Sequence, residues 1–243
     1  MRFEDIISKI SRLAAIIIVY FICAGFYLNS KGFVMQPDGS ISLVKNANAS
    51  VEQGVFASPI NNNTALSLPS KATIGSQDAP ITIYEFSSLS CSHCADFHLS
   101  TIPLLQKQFI DNGKVKFIFV NFPLEKKSMR AGMLSECIND DSRNDFIKTM
   151  FKKQREWLLA HNTDKVLIKY AKLHGMTEEK ALACLTDDNL AKDMLEIRQQ
   201  GLDRLEIKGT PAFLVDYKGS KEIIYGAPNY QTLKNYLETK LSK

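Results

Sequence analysis

The sequence predicts an α/β fold, and three stretches predict it. An apolar strand, Ile81 to Phe86, runs through a small polar turn into Cys91-Ser92-His93-Cys94 at the start of a helix. A second run, Val115 to Phe122, has almost no polar interruption, as a strand inside a sheet requires. After a long helical stretch, Ala212 to Asp216 and Glu222 to Tyr225 read as a hairpin turning at Tyr217-Lys218-Gly219-Ser220.

At the N-terminus, Arg2, Lys9 and Arg12 outnumber Glu4 and Asp5, and Leu13 to Leu28 follows as 16 residues without a charge. Sixteen helical residues reach about 24 Å, short of the roughly 30 Å hydrocarbon core. Residues 1–28 therefore read as a signal peptide or an N-terminal membrane anchor. Cleavage and retention both stay open, because the small-x-small pattern Ala47-Asn48-Ala49 lies far downstream. Either way, the basic flank predicts that the rest of the chain sits outside the cytoplasm. Cys23 reads as a plain apolar residue of this segment.

Residues 29–71 are rich in Asn, Ser and Gly and lack sustained periodicity, so they read as a flexible polar tether with a short strand near Ile41 to Val44. Residues 72–243 are one domain's worth of chain. From Val51 onward 25 Lys and Arg face 23 Asp and Glu, a balance that gives no basis for a nucleic-acid partner. No nucleotide, flavin or haem motif is visible, and no cofactor is expected.

Ala72 to Phe86 predicts an edge strand and then a central one, with Glu85 in the central strand. The next helix is expected from Cys91 to about Ile110, kinked by Pro103 and ended by Asn112-Gly113. Phe97, Ile102, Leu105 and Phe109 read as its core face. His98 is expected to be a partly exposed surface residue. Residues 126–205 read as four or five short helices, with start signals at Asp140-Asp141-Ser142, Thr163-Asp164, Thr177 before Glu178-Glu179, and Asp187-Asp188-Asn189. Tyr230, Leu233, Leu237 and Leu241 give a last amphipathic helix that covers one side of the sheet.

The chemistry lies at Cys91 and Cys94. A cysteine in the first turn of a helix meets free backbone N–H groups and the positive end of the helix dipole. Both favour the thiolate, so Cys91 is expected to have a depressed pKa and to be the nucleophile. His93 can push the same way by hydrogen bond or charge. Cys94, one turn on, is the expected resolving thiol. Half of a zinc site and a local structural bridge compete for this tetrapeptide. A structural zinc site needs a second ligand pair at close spacing, whereas Cys23, Cys137 and Cys184 are isolated. In an exported chain, Cys137 and Cys184 are expected to form a structural disulfide, the alternative being two free buried thiols.

A second stretch, Gly209-Thr210-Pro211, opens an apolar strand at the position where a missing N–H costs least. Together with the Cys-x-x-Cys it resembles the thioredoxin superfamily. The 120 residues between Cys91 and Pro211 leave room for inserted helices, and the pattern is similar to the DsbA-like thiol:disulfide oxidoreductases. Asp78-Ala79-Pro80 and Glu85-Phe86 add to the likeness, which runs from about Ala72 to the C-terminus. Ser92 departs from the proline frequent at that position in the family.

The resemblance implies a thioredoxin-like fold with a helical insertion at about 126–205. It implies a cis Thr210-Pro211 peptide that faces the dithiol and holds substrate backbone. It makes Glu85 a buried acid that helps proton movement at Cys94; a strand-end carboxylate reaching solvent is the other reading. The implied function is a periplasmic enzyme that introduces disulfides into folding exported proteins with free cysteines. A DsbB-like quinone-coupled membrane oxidase would regenerate it. A disulfide isomerase or reductase is the alternative within the family. A metallochaperone using Cys91, Cys94 and His98 is the alternative outside it.

Overall fold

A computed structural model describes residues 33–35, 41–43, 57–60, 68 and 72–242. The N-terminal segment read as signal or anchor lies outside the described residues. No helix among the described residues is long and apolar enough to cross a membrane. The chain divides into two compact units, 1–52 and 53–243. Within the first, β1 (Phe33–Met35) and β2 (Ile41–Leu43) pair antiparallel.

The second unit is built on a six-stranded mixed sheet. Its strands are β3 (Ala57–Pro59), β4 (Thr73–Ile74), β5 (Ile81–Ser87), β6 (Val115–Asn121), β7 (Ala212–Tyr217) and β8 (Ser220–Tyr225), in the order β3-β8-β7-β5-β6-β4. β5 lies in the middle, parallel to β6 and antiparallel to β7. β4 and β3 are the edges. β3 comes from the stretch read as tether and pairs with β8, so the sheet recruits chain upstream of Ala72. The β7–β8 hairpin turns through Lys218 and Gly219, both at positive φ (52° and 82°). That two-residue geometry matches the twist of the paired strands.

Alternation along the strands gives the sheet two apolar faces. Ile81, Ile83, Phe117, Phe213 and Val215 pack on one face with Phe97, Leu105, Leu233 and Leu237. Phe86, Ile118, Val120, Leu214 and Ile223 pack on the other with Leu205 and Ile207.

The helix after β5 is not one regular α-helix. It begins as α1 (Ser92–Asp96), passes through a π-helical turn (Phe97–Thr101), resumes as α2 (Ile102–Leu105) and ends in a second π-helical turn (Gln106–Ile110). Pro103 sits between the widened turns, where its missing N–H and ring would break a regular ladder. Phe97, Ile102, Leu105 and Phe109 are all buried.

Six helices, rather than four or five, occupy residues 126–205. They are α3 (Lys126–Cys137), α4 (Asp140–Lys152), α5 (Gln154–Leu159), α6 (Thr163–Leu173), α7 (Glu178–Leu185) and α8 (Asp188–Leu205). The extra break comes at Lys153, where neither Gly nor Pro marks it. Asn162, Thr177 and Asp187 cap α6, α7 and α8 by accepting backbone N–H groups, so these starts follow the polar signals in the sequence. The last helix, α9 (Tyr230–Leu241), buries Leu233 and Leu237 against the sheet.

A fold of this kind, a mixed sheet flanked by helices with a helical insertion after β6, positions the end of β5 and the start of α1 against the insertion. Leu89, Cys94 and Ala95 belong to the core of the helical insertion, with Met150, Phe151 and Trp157.

Candidate active site

The site begins where β5 ends. Ser87 and Ser88 are buried, and Cys91 N–H donates to Ser88 O at 3.0 Å, closing the turn into α1. Cys91 is the N-cap residue, with extended backbone, and its carbonyl accepts the first helical bond from Ala95 N–H at 3.1 Å. The helix start thus aims its free N–H groups at the Cys91 sulfur rather than at a capping oxygen.

Both thiols of the pair are free, and they differ sharply in setting. Cys91 is partly exposed and Cys94 wholly buried. The Cys91 thiol is lowered to about 5, first because the Cys94 thiol donates to it. Partial burial opposes this, and the Thr210 side chain and the backbone N–H groups of Cys94 and His93 reinforce it. Burial pushes the Cys94 thiol up, helped by its donation to Cys91 and by the nearby charge of Glu85. One sulfur is therefore held as a thiolate and the other as a thiol.

Pro211 stands across from this pair. Thr210-Pro211 is a cis peptide, and Cys91 Sγ lies 3.3 Å from Thr210 O, to which its thiol form donates. The Thr210 hydroxyl is buried with no other partner and so is available to the thiolate form. An open cleft of about 430 Å³ runs beside these residues, lined by Glu206, Lys208, Gly209, Thr210, Pro211 and Tyr225. The structure thus brings Cys91, Cys94, Thr210 and Pro211 together.

His93 is exposed, and what it contributes to Cys91 is its backbone N–H. Glu85 is fully buried rather than a strand-end carboxylate reaching solvent. His98 is a correction. It is buried, 9% exposed, not a surface residue, and its Nε2 lies 2.5 Å from Glu85 Oε2. Its ring packs on Phe151 with centroids 4.4 Å apart. The spacing already held the signal, because four residues on from Cys94 falls on the same helix face. Engaged by Glu85, His98 does not join Cys91 and Cys94 as a third metal ligand, and among the described residues no group of His, Cys, Asp and Glu forms a metal set.

Gln154 was not foreseen. From the start of α5 its amide donates to Leu89 O at 2.8 Å and to Cys91 O at 2.9 Å, pinning the active-site turn to the helical insertion. No sequence pattern links residues 63 positions apart. Cys137 and Cys184 are joined within the insertion, from α3 to α7, 47 residues apart in sequence.

Comparison with known proteins agrees with this geometry. The Thioredoxin_4 family model, described as thioredoxin, matches residues 67–239. Disulfide bond formation protein D of Bacillus subtilis is 30% identical over 183 residues, covering 72% of this chain and 79% of that protein. A putative protein-disulfide oxidoreductase of Rickettsia bellii is 28% identical over 144 residues, 59% of this chain and 56% of its own length. The chain spans about half the length of the rickettsial relatives it matches. Among solved structures, alpha-DsbA1 of Wolbachia pipientis aligns with a TM-score of 0.65 at 26% identity, over 73% of this chain and 94% of the other. BdbD of Bacillus subtilis aligns with a TM-score of 0.63 at 27% identity, over 78% and 100%. By family match, fold and dithiol geometry, the chain belongs to the DsbA-like thiol:disulfide oxidoreductases of the thioredoxin superfamily.

Proposed function

We propose that this protein is an exported dithiol oxidant that donates the Cys91–Cys94 disulfide to folding proteins carrying free cysteines. The observation that carries the reading is the asymmetry of the pair: Cys91 is lowered to about 5 while burial raises Cys94. A thiolate that stable is a good leaving group, and stabilising the reduced form makes the disulfide oxidising. The printed names of the relatives, disulfide bond formation protein and DsbA, point the same way.

In the proposed cycle a substrate thiolate attacks Cys91 Sγ, the accessible sulfur. The Cys91–Cys94 bond breaks and a substrate–Cys91 mixed disulfide forms. A second substrate thiolate then attacks the substrate sulfur of that bond. Cys91 leaves as a thiolate, which the helix N-terminus, the Cys94 thiol and the Thr210 hydroxyl stabilise. The cleft beside Thr210 and Pro211 would hold the substrate backbone. Reoxidation requires an electron acceptor, and a quinone-coupled membrane partner would supply it. The uncharged run Leu13 to Leu28 supports export, with the periplasm as the site of action and membrane attachment if the segment is retained.

The test is direct. One equivalent of the oxidised full chain is mixed with a reduced, unfolded two-cysteine protein. The reading expects near-complete transfer of one disulfide at pH 7 within minutes. Retention of the disulfide by the enzyme, with no transfer at equilibrium, would overturn it.

A further inference from the structure

Resting on that reading, a stable Cys91 thiolate requires that the donors around its sulfur stay in place. Beside the Cys94 thiol and the Thr210 side chain, these are the backbone N–H groups of Cys94 and His93. The aim of the backbone pair depends on the peptide planes that lead from Leu89 into the helix. The turn's own hydrogen bonds converge on Ser88, which accepts from Cys91 N–H at its carbonyl and from Ser90 N–H at its hydroxyl. The Cys91 carbonyl accepts one bond from Ala95 N–H and keeps a second lone pair.

Gln154 takes that lone pair and the Leu89 carbonyl together. Its side-chain amide donates to Leu89 O at 2.8 Å and to Cys91 O at 2.9 Å. Only the NH2 end of an amide can face two carbonyls, and both of its hydrogens are used there. A braced corner presents this amide. α4 ends at Lys152 and α5 begins at Gln154. Across the break Lys153 N–H donates to Thr149 O, and the indole N–H of the fully buried Trp157 donates to Met150 O at 2.8 Å. Cys91 packs against the same core as Met150 and Trp157. The charged residues flanking Gln154 answer each other, with Lys153 Nζ and Glu156 Oε2 3.9 Å apart.

We propose that Gln154 is a positioning residue for the exchange reaction: by clamping the Leu89 and Cys91 carbonyls it keeps the N–H groups of His93 and Cys94 aimed at Cys91 Sγ. The helical insertion then contributes to the chemistry of the reactive sulfur through one side chain. Without the clamp the Cys91 peptide plane can rock about ψ, and the donors spend part of their time off the sulfur. The turn stays closed through Ser88, so the fold outlasts the loss while the thiolate is destabilised.

The test follows alkylation of Cys91 by iodoacetamide in the reduced full chain from about pH 3 to about pH 8, because the thiolate is the reacting form. It is read at Cys91 by peptide fragmentation, so no other cysteine contributes. Gln154→Leu keeps the side-chain volume and removes both donors. It is expected to raise the pH midpoint of alkylation by about half to one pH unit. Gln154→Lys returns donors to both carbonyls and is expected to restore the parent midpoint or fall below it. A Gln154→Leu chain with the parent's midpoint overturns the proposal, whatever its stability to urea. So does a Gln154→Lys chain displaced as far as Gln154→Leu. If Gln154→Leu fails to fold, Gln154→Ala decides on the same readout. A parent chain whose Cys91 alkylates with the midpoint of an ordinary thiol, about 8.5, would overturn the thiolate on which the oxidant reading rests. A parent with a depressed midpoint, matched by Gln154→Leu, overturns only the clamp.

Discussion

The molecule holds two cysteine pairs in opposite settings. Cys91 and Cys94 are free, three residues apart, with one sulfur exposed at a helix start. Cys137 and Cys184 are bonded, 47 residues apart, inside the helical insertion. The first pair closes a loop too short to constrain the unfolded chain much, and its surroundings favour one sulfur as a thiolate. The second closes a long loop, no helix N-terminus addresses its sulfurs, and Cys184 is buried. Reactivity in this chain follows from the Cys94 thiol, the other donors around Cys91 and access, whereas stability follows from loop length.

Breaking each pair should therefore produce different losses. Cys91→Ser is expected to drop disulfide exchange to the uncatalysed background with the fold intact. Cys94→Ser should instead accumulate mixed disulfides through Cys91, seen as alkylation-resistant adducts. Adducts that form through position 94 would reverse the assigned roles. Replacing both Cys137 and Cys184 by Ala should lower unfolding free energy by roughly 4 kcal/mol on the chain-entropy account, read from urea midpoints. Its Cys91 should still titrate far below an ordinary thiol. A loss of exchange activity larger than the loss of fold would show that the two pairs are coupled.

A pH dependence sharpens the contrast. The folded Cys91 pKa is depressed, so the stability it contributes is fully present only above the unfolded thiol pKa. That stability is lost as pH falls toward about 5. Thermal unfolding of the reduced chain should gain on the oxidised chain from about pH 5 to about pH 9, with no further change below pH 5. Cys94, raised by burial, stays protonated across this window. A gap that does not vary with pH would contradict the thiolate assignment. The smallest effect is expected from Gln154→Ala. Removing two neutral hydrogen bonds from the active-site turn should cost about 1 kcal/mol or somewhat more, and leave exchange measurable.

The two regions that frame these pairs were not equally legible in sequence. β5, β6, the hairpin and α9 announce themselves by alternation, unbroken apolar runs and a 3.6-residue stripe, all local signals. The caps Asn162, Thr177 and Asp187 mark α6, α7 and α8 for the same reason. The break at Lys153 carries no Gly or Pro, so six helices read as four or five. β3 is three residues long, ends in Pro59 and owes its existence to pairing with β8. At the site, the cysteines and Thr210-Pro211 were visible as motifs. The pairing of His98 with Glu85 needs the packing of helix on strand, which fixes a polar residue inside the core. Gln154 depends on a contact between elements far apart in the chain.

The central claim is that the fold stabilises the Cys91 thiolate enough to make the disulfide an oxidant. The reduction potential of the Cys91–Cys94 pair in the full chain, equilibrated against glutathione at pH 7, tests it most directly. A potential well above about −200 mV is the predicted result. A value near about −270 mV would mark a thioredoxin-like reductant and contradict disulfide donation, while leaving the fold and the exchange chemistry in place.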